Sequence, residues 1–415
     1  MPRQQRGGKL ARVQATIRHR VALSAASITL LLFVAHFFND FFSGTLAALL
    51  PTLQVRFGVS EVTLALFVAT LSFSSSVVQP LFGAVADRLG RRLVAAVGVA
   101  ATSVILSLIV TVPTAALLIP LLLLGGLGSA AFHPAGTTLA RQAAGSKGGL
   151  ALGLFSAAGT TGMAFGPLVV GLFIINGWLS FTPLLMLPGV VAGVLLYLLL
   201  PEQAPVARVS RAKLFDIELF KGPVGLLCLA GVLRSVAWTA VINGAPLWLV
   251  NSKGLSATSP VVFWTITVFT ISGGAGGIIA GLLEGRLSRQ ALVTGSMLLA
   301  LVPLATLLLS APGTVLYFAG VAGAGLLVNG GLPIMVVSAQ DAAPHAVATA
   351  SGMMMGLTWG TAGVLYLGVG ALQEAIGMNA AMWLSLVPLV PGALIAYRVL
   401  RKLAEPRAEL PASAH

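Results

Sequence analysis

Charge is scarce in this chain: Asp, Glu, Lys and Arg make up 8% of its 415 residues, against roughly a quarter of an ordinary soluble domain. With 57% of the residues hydrophobic, a water-soluble fold would have nowhere to hide its apolar surface. Cysteine is nearly absent as well. The lone Cys228 excludes an internal disulfide and a multi-cysteine metal site, and the five histidines are scattered without a spacing that spells a metal site. No glycine-rich loop runs into Lys-Ser or Lys-Thr, so the sequence offers no phosphate cradle for ATP, and no cofactor is expected.

What is present is one long apolar run after another, from about residue 22 to 400. Helices that cross a hydrocarbon layer about 30 Å thick need about 20 such residues. The runs are too long and too uniformly apolar for the alternating, ~10-residue strands of an outer-membrane barrel. Breaks at polar, Gly or Pro clusters predict twelve spans: 22–54, 61–85, 92–111, 114–142, 149–175, 179–200, 222–250, 259–284, 290–310, 313–340, 347–374 and 378–400. The reading is an all-α membrane protein. Its basic N-terminal stretch could pass for the start of a signal peptide, but the following run is long enough to span, so the segment is expected to be retained.

The net charge of +13 invites a nucleic-acid reading, which its placement rejects. With both termini on the cytoplasmic side, 21 of the 24 Lys and Arg residues fall on inside segments, and only Arg56 and Lys253 fall on outside loops. That is the positive-inside pattern, and it predicts a multi-pass protein of the inner membrane with both ends cytoplasmic. The remaining cation, Arg234, lies within span seven.

Shifted by 198 to 199 residues, the sequence matches itself. "GAVADRLGRR" after span two aligns with "GLLEGRLSRQ" after span eight; Pro134 falls on Pro333, and Gly153 and Gly171 fall on Gly352 and Gly370. Repetition at nearly constant offset predicts a duplicated six-helix unit. The domains are then a basic cytoplasmic tail at 1–21, an N-terminal bundle at 22–200, a polar linker at 201–221, a C-terminal bundle at 222–400 and a tail at 401–415. Two such halves, related by an axis along the membrane normal, are a transporter plan with the substrate bound between them near mid-membrane.

These residues resemble the major facilitator superfamily. Gly83, Asp87, Arg88, Gly90, Arg91 and Arg92 stand on the marked positions of its cytoplasmic loop signature, with Arg286 and Arg289 in the second copy. Span five carries Gly153, Gly162, Gly166, Pro167 and Gly171 in a pattern similar to the signature of the superfamily's antiporters, except that Val170 replaces one glycine of its final pair. "HFFND" in span one and "AFHPAG" in span four look most like the fosmidomycin-resistance type of efflux transporter. The resemblance implies twelve helices in two pseudo-symmetric bundles and drug or metabolite efflux. It also implies that Asp87 docks on the start of span eleven near Ala346, as a gate latch. In the second copy Gly285 stands at the Asp87 position, so a weaker or absent latch is expected there. Many proton-coupled exporters of the superfamily carry an arginine where this chain has Leu122, so any proton coupling must use other groups.

Of eleven acidic residues, only Asp40 lies mid-span. A charged Asp at the bilayer centre costs about 2.5 to 3.5 kcal/mol on insertion scales, so such residues face a wet cavity or a partner. His36, Asn39, Asp40 and Ser43, at i, i+3, i+4 and i+7, share one helix face. Asp40 is the expected proton carrier; His133 precedes Pro134, whose position frees a carbonyl that the histidine could simply satisfy, and otherwise it is a second proton relay or a substrate ligand. The 198-residue offset places Arg234 opposite His36, which predicts that Arg234 binds an anionic substrate group or, in an empty site, Asp40 itself. A fixed Asp40 to Arg234 pair, or an Asp40 to His36 hydrogen bond, with only structural work is the plain alternative. Gln79, Trp238, Asn243, Asn329 and Trp359 complete the candidate substrate contacts, and Gly162, Gly166, Pro167 and Gly171 form either a gating helix or a close-packed seam.

The expected function is a monomeric secondary transporter, not an enzyme, that exports small anionic or phosphonate-like organic molecules against protons. Its partners are then substrate, protons and membrane lipid. A proton symporter importing an organic acid and a membrane-embedded enzyme acting on lipid are the alternatives. The glycine-proline pattern of span five weighs against the first, and the want of a cluster of nucleophiles or acids weighs against the second.

Overall fold

A computed structural model describes residues 24–144, 148–201 and 217–405. The basic tail, most of the 201–221 linker and the end of the C-terminal tail lie outside the described residues, and with them much of the charge asymmetry. The chain is helical almost throughout. Twelve segments follow one another: α1 (Ala25–Phe57), α2 (Glu61–Ser72 and Gln79–Leu89), α3 (Arg91–Ser107), α4 (Leu118–Ala143), α5 (Gly148–Ile175), α6 (Met186–Leu199), α7 (Pro223–Thr239 and Ala245–Asn251), α8 (Pro260–Leu283), α9 (Arg289–Leu299 and Leu301–Leu309), α10 (Val315–Gly330 and Leu332–Ala342), α11 (Val347–Gly352 and Thr358–Ile376) and α12 (Met378–Leu384 and Leu389–Ala404).

Ten of these are long and apolar enough to cross a membrane, and α2, whose parts meet at 43°, makes an eleventh. α3, at 17 residues, or roughly 26 Å of helix, falls just short of that length. The span expected at 92–111 therefore ends early, at Ser107, and continues in turns.

Local chemistry sets the ends. Ser24, Ser60, Ser288 and Thr314 each accept a backbone N–H from the first turn of the helix they precede, which satisfies a donor the helix cannot pair itself. Pro223 and Pro260 open their helices, where a missing N–H costs nothing. Gly90 has φ of 95° and turns the chain from α2 into α3, a conformation that side chains resist. Its repeat-equivalent, Ser288, starts α9 differently, from an extended backbone with its hydroxyl as the cap. Three segments expected as continuous helices are wound locally as π turns: Phe73–Val77 in α2, Ala240–Gly244 in α7 and Met353–Leu357 in α11. In α2 the cause is visible: Ser74 and Ser75 donate to carbonyls one turn back, which competes with the ladder, and Pro80 then has no N–H to give.

The helices meet through glycine. A side chain at Gly162 or Gly166 of α5 would land on the carbonyl of Phe37 or Phe41 in α1, and one at Gly44 of α1 would land on the carbonyl of Met163. The two backbones are thus nearly in contact. The same device joins α8 to α10, through Gly276 against Leu326 and Gly325 against Phe269. Large apolar side chains also point outward, among them Leu282, Leu309 and Val315, as a surface bathed in acyl chains requires.

The two ends of the bundle differ. One, the motif end, carries the turns at Gly90 and Gly285; the other, the far end, carries those at Gly58, Gly254 and Gly377. Among the described residues, the hydrogen bonds that join the N-terminal helices to the C-terminal ones lie at the far end and at mid-depth. Asn251 donates to Gln54 at 2.9 Å and Glu61 at 3.5 Å, the Val62 N–H donates to Glu374 at 2.8 Å, and Thr267 donates to the carbonyl of Ala164 at 2.8 Å. The motif end shows no such link among the described residues.

Candidate functional site

A little over one turn of α1 delivers its share of the polar cluster. His36, Asn39 and Asp40 lie on the face turned to α4 and α5, where the glycine seam holds α5 close. His36 Nδ1 lies 2.7 Å from the carbonyl of Phe155 in α5. Its ring stacks on the Phe155 ring at 4.0 Å and meets that of His133 edge-on at 5.1 Å. In α4, Ser129 and His133 sit one turn apart, with His133 Nδ1 2.9 Å from the Ser129 carbonyl. Asp40 then lies between two imidazoles. His36 Nε2 is 3.2 Å from Oδ2, and His133 Nε2 is 3.3 Å from Oδ1. Asn39 donates to Asp40 Oδ1 at 2.9 Å and to Ser129 Oγ at 3.0 Å, which fixes the carboxylate plane. Asp40 is 8% exposed, and the His133 side chain, 26% exposed, is the open edge of the cluster.

Gly159 of α5 backs this arrangement. A Cβ there would stand 2.5 Å from both Asp40 Oδ2 and His36 Nε2, so only glycine leaves the three groups room to meet.

The second polar group belongs to the other half. Arg234 in α7 is wholly buried. It donates to Asn329 Oδ1 at 2.8 Å, to Ser235 Oγ at 2.7 Å and to the Val328 carbonyl at 3.3 Å, and its guanidinium lies 5.0 Å over the Trp359 ring. Trp238 meets Trp359 edge-on at 5.6 Å. Every partner of Arg234 is neutral: among the described residues no carboxylate lies within ion-pair distance, and Nε makes no hydrogen bond. The expected Asp40 to Arg234 pair is therefore not formed. Each half satisfies its own charge, Asp40 with histidines a turn away and across on α4, Arg234 with amide, hydroxyl and carbonyl.

Other candidates stand apart from both clusters. Gln79 donates to the Ser75 carbonyl and Asn243 to the Thr239 carbonyl, each within its own helix. Ser43 is half-buried, one turn beyond Asp40. At the motif end, Asp87 pairs with Arg91 at 2.7 Å, one turn on, and not with the start of α11; a flexible guanidinium so near outcompetes a helix end of the other half. Arg92 is buried, donating to the Leu200 carbonyl and lying over Tyr197, which ties α3 to α6. Gly83 touches only Pro134, and Arg88 is exposed. The second copy, expected to be weaker, carries more ion pairs: Arg289 bridges Glu284 at 2.7 Å and Asp341 at 2.6 Å, while Arg286 stays exposed. Glu284 and the end of α10 supply carboxylates that the first copy lacks. Gly162, Gly166 and Pro167 sit in the α1–α5 seam, whereas Gly171 packs on Phe263 of α8, across the halves.

A family model described as Major Facilitator Superfamily matches residues 32–367. The chain belongs to that superfamily. Among curated proteins it is 27% identical, over 86% of its length and 88% of theirs, to the uncharacterized MFS-type transporter YfnC of Bacillus subtilis (strain 168). It is 23% identical, over 80% of its length and 82% of theirs, to the fosmidomycin resistance protein of Escherichia coli (strain K12). Among solved structures it is similar to a bacterial homolog of the human lysosomal transporter Spinster in an inward-facing, unoccupied conformation. The TM-score is 0.74 at 15% identity, with 92% of this chain and 98% of that one covered.

In this superfamily member Leu122 is fully buried, and its carbonyl receives Ser74 Oγ at 3.3 Å. The mid-depth polar groups of α4 come three turns later, at Ser129 and His133. Sequence reading found Asp40, His36, Asn39 and His133 but missed Ser129, Phe155 and Gly159. Ser129 was legible as the residue one helical turn before His133 on the same face. Phe155 meets His36 through its carbonyl and through a ring that reads as one more apolar residue of a span, and Gly159 acts through what it lacks, so neither stands out in the sequence.

Proposed function

We propose that this superfamily member exports small organic anions through the cytoplasmic membrane in exchange for protons, by rocking of its two halves about the space between Asp40 and Arg234. The carrying observation is the sole mid-span carboxylate gripped by two imidazoles, with Arg234 in the opposite half buried and without an anion. A carboxylate between two imidazoles changes its hold on protons whenever its surroundings change from wet to dry, which is what a coupling site needs. A desolvated guanidinium with only neutral partners favours an incoming carboxylate, phosphate or phosphonate, which it grips through paired donors. The printed name of the Escherichia coli relative, a resistance protein, supports efflux over uptake. With the motif end cytoplasmic, the far-end hydrogen bonds close the outside.

The test is transport in proteoliposomes under an imposed pH gradient, with the compound chosen by growth protection across a panel of toxic anions. Asp40→Asn keeps the shape of the cluster and an acceptor for Asn39, and removes its acid. Gradient-driven export is expected to fall to the no-gradient rate, while substrate-for-substrate exchange persists. Full gradient-driven export by Asp40→Asn rejects the coupling role.

A further inference from the structure

The cluster in the N-terminal half has a property that proton carriage does not require. The Nδ1 atoms of His36 and His133 each face a backbone carbonyl, at 2.7 Å and 2.9 Å. A carbonyl only accepts, so both Nδ1 atoms carry the hydrogen, and in the neutral ring Nε2 is then a bare lone pair. Both of these lone pairs converge on the carboxylate. The donor atoms of His36, Asp40 and His133 all lie within 4.8 Å of one another. His36 Nε2, on a side chain more than nine-tenths buried, makes no hydrogen bond although Asp40 Oδ2 is only 3.2 Å away.

We propose that His36 Nε2, Asp40 Oδ and His133 Nε2 are the three protein ligands of a site for one divalent transition cation of the zinc class. Zinc held tetrahedrally at about 2.0 to 2.1 Å from N and O ligands sets neighbouring ligand atoms roughly 3.3 Å apart; His36 Nε2 lies 3.2 Å from Oδ2 and His133 Nε2 3.3 Å from Oδ1, and with all three ligand atoms within 4.8 Å of one another the imidazoles close on the ion by a small ring movement. An N–H of each ligand imidazole given to a backbone carbonyl is the usual outer support of such a site, since it fixes the tautomer and aims the ring. Asn39 does the same for the carboxylate, and Gly159 keeps α5 from filling the space where the ligands meet. Two imidazoles with one carboxylate select zinc, cobalt or nickel over calcium and magnesium, which take oxygen ligands alone. The partly exposed His133 edge leaves a fourth position for water or a substrate oxygen. Bound there, the cation takes the place of protons on the same three groups and arrests exchange. The inference concerns the cluster of the proposed function but stands on ligand geometry alone.

The experiment uses the full chain with a non-histidine affinity tag, purified in detergent and stripped of metal, then titrated with Co²⁺ and with Zn²⁺. The expected result is one Co²⁺ per chain with the intense visible absorption of a low-coordinate site, displaced by Zn²⁺, and a rise in unfolding temperature with Zn²⁺. His36→Ala and His133→Ala each weaken binding at least ~10-fold and remove the thermal shift, while the triple variant His19→Ala, His345→Ala, His415→Ala binds as the unaltered chain does. Should either alanine variant fail to fold, Gly159→Ala and Asp40→Asn give the same readout. Absence of binding, or binding that survives loss of His36 and His133, overturns the proposal. Proton-driven transport measured with chelator present separates the two readings. Its persistence without metal binding defeats only the metal site, and its absence with metal binding intact defeats only the coupling role.

Discussion

Asp40 is held by polar neighbours: the Asn39 amide donates to it, and the two imidazoles stabilise its charge only when they carry a proton on Nε2. An isolated carboxylate would cost about 2.5 to 3.5 kcal/mol at mid-membrane; here it has two imidazoles at 3.2 and 3.3 Å and an amide at 2.9 Å. The arrangement depends on an absence, the missing side chain of Gly159. Gly159→Ala would place a Cβ 2.5 Å from both Asp40 Oδ2 and His36 Nε2, and overpacking of this kind costs about 1 to 3 kcal/mol. The expected outcome is loss of gradient-driven transport with the protein still in the membrane. Gly153→Ala, one of the antiporter-pattern positions, meets nothing within 4 Å and is expected to transport normally. Equal transport by the two variants would show that Gly159 is not a spacer for the cluster.

At the level of the helices, the seam between α1 and α5 explains why span five is so rich in glycine. Gly162 and Gly166 face backbone carbonyls of α1, which cannot swing aside as a side chain tip can. Their first duty is thus close packing within the N-terminal half, and it is this packing that brings Phe155 and Gly159 up to the polar face of α1. Gly162→Ala is expected to lower stability by about 1 to 3 kcal/mol, read as a drop in unfolding temperature in detergent. Gly368→Ala, with nothing within 4 Å, is the matched control and should leave it unchanged. A stable Gly162→Ala protein that no longer transports would return that position to a gating role.

Across the whole molecule, the two halves touch at the far end through few polar contacts, and those contacts must break if the opposite state is to form. Asn251 is the hub, bonded to Gln54 and Glu61 of the other half. A hydrogen bond contributes about 0.5 to 1.5 kcal/mol net, so Asn251→Ala should raise the share of far-end-open molecules by roughly 2- to 10-fold. Spin labels at Val55 and Lys253, both exposed, in a Cys228→Ala background would read this as growth of a longer distance. An unchanged distance distribution would mean that the apolar contacts near the far end, such as Gly171 on Phe263, hold the closed end by themselves.

The sequence by itself determined that the chain crosses a membrane about twelve times, that it is built twice from one plan, and that Asp40 is its singular acid. Apolar runs, a fixed offset and a lone mid-span charge are one-dimensional facts, and lipid leaves a chain of such composition little choice but helices. Only the tertiary structure decided which groups Asp40 meets. His133 and Gly159 are far from it along the chain, and their approach depends on how closely two backbones pass. The offset that set Arg234 opposite His36 marked equivalent places in the two halves, and equivalence by rotation is not contact. Each charge found its partners within its own bundle, because packing inside a half is dense, whereas under the proposed function the space between the halves opens and closes.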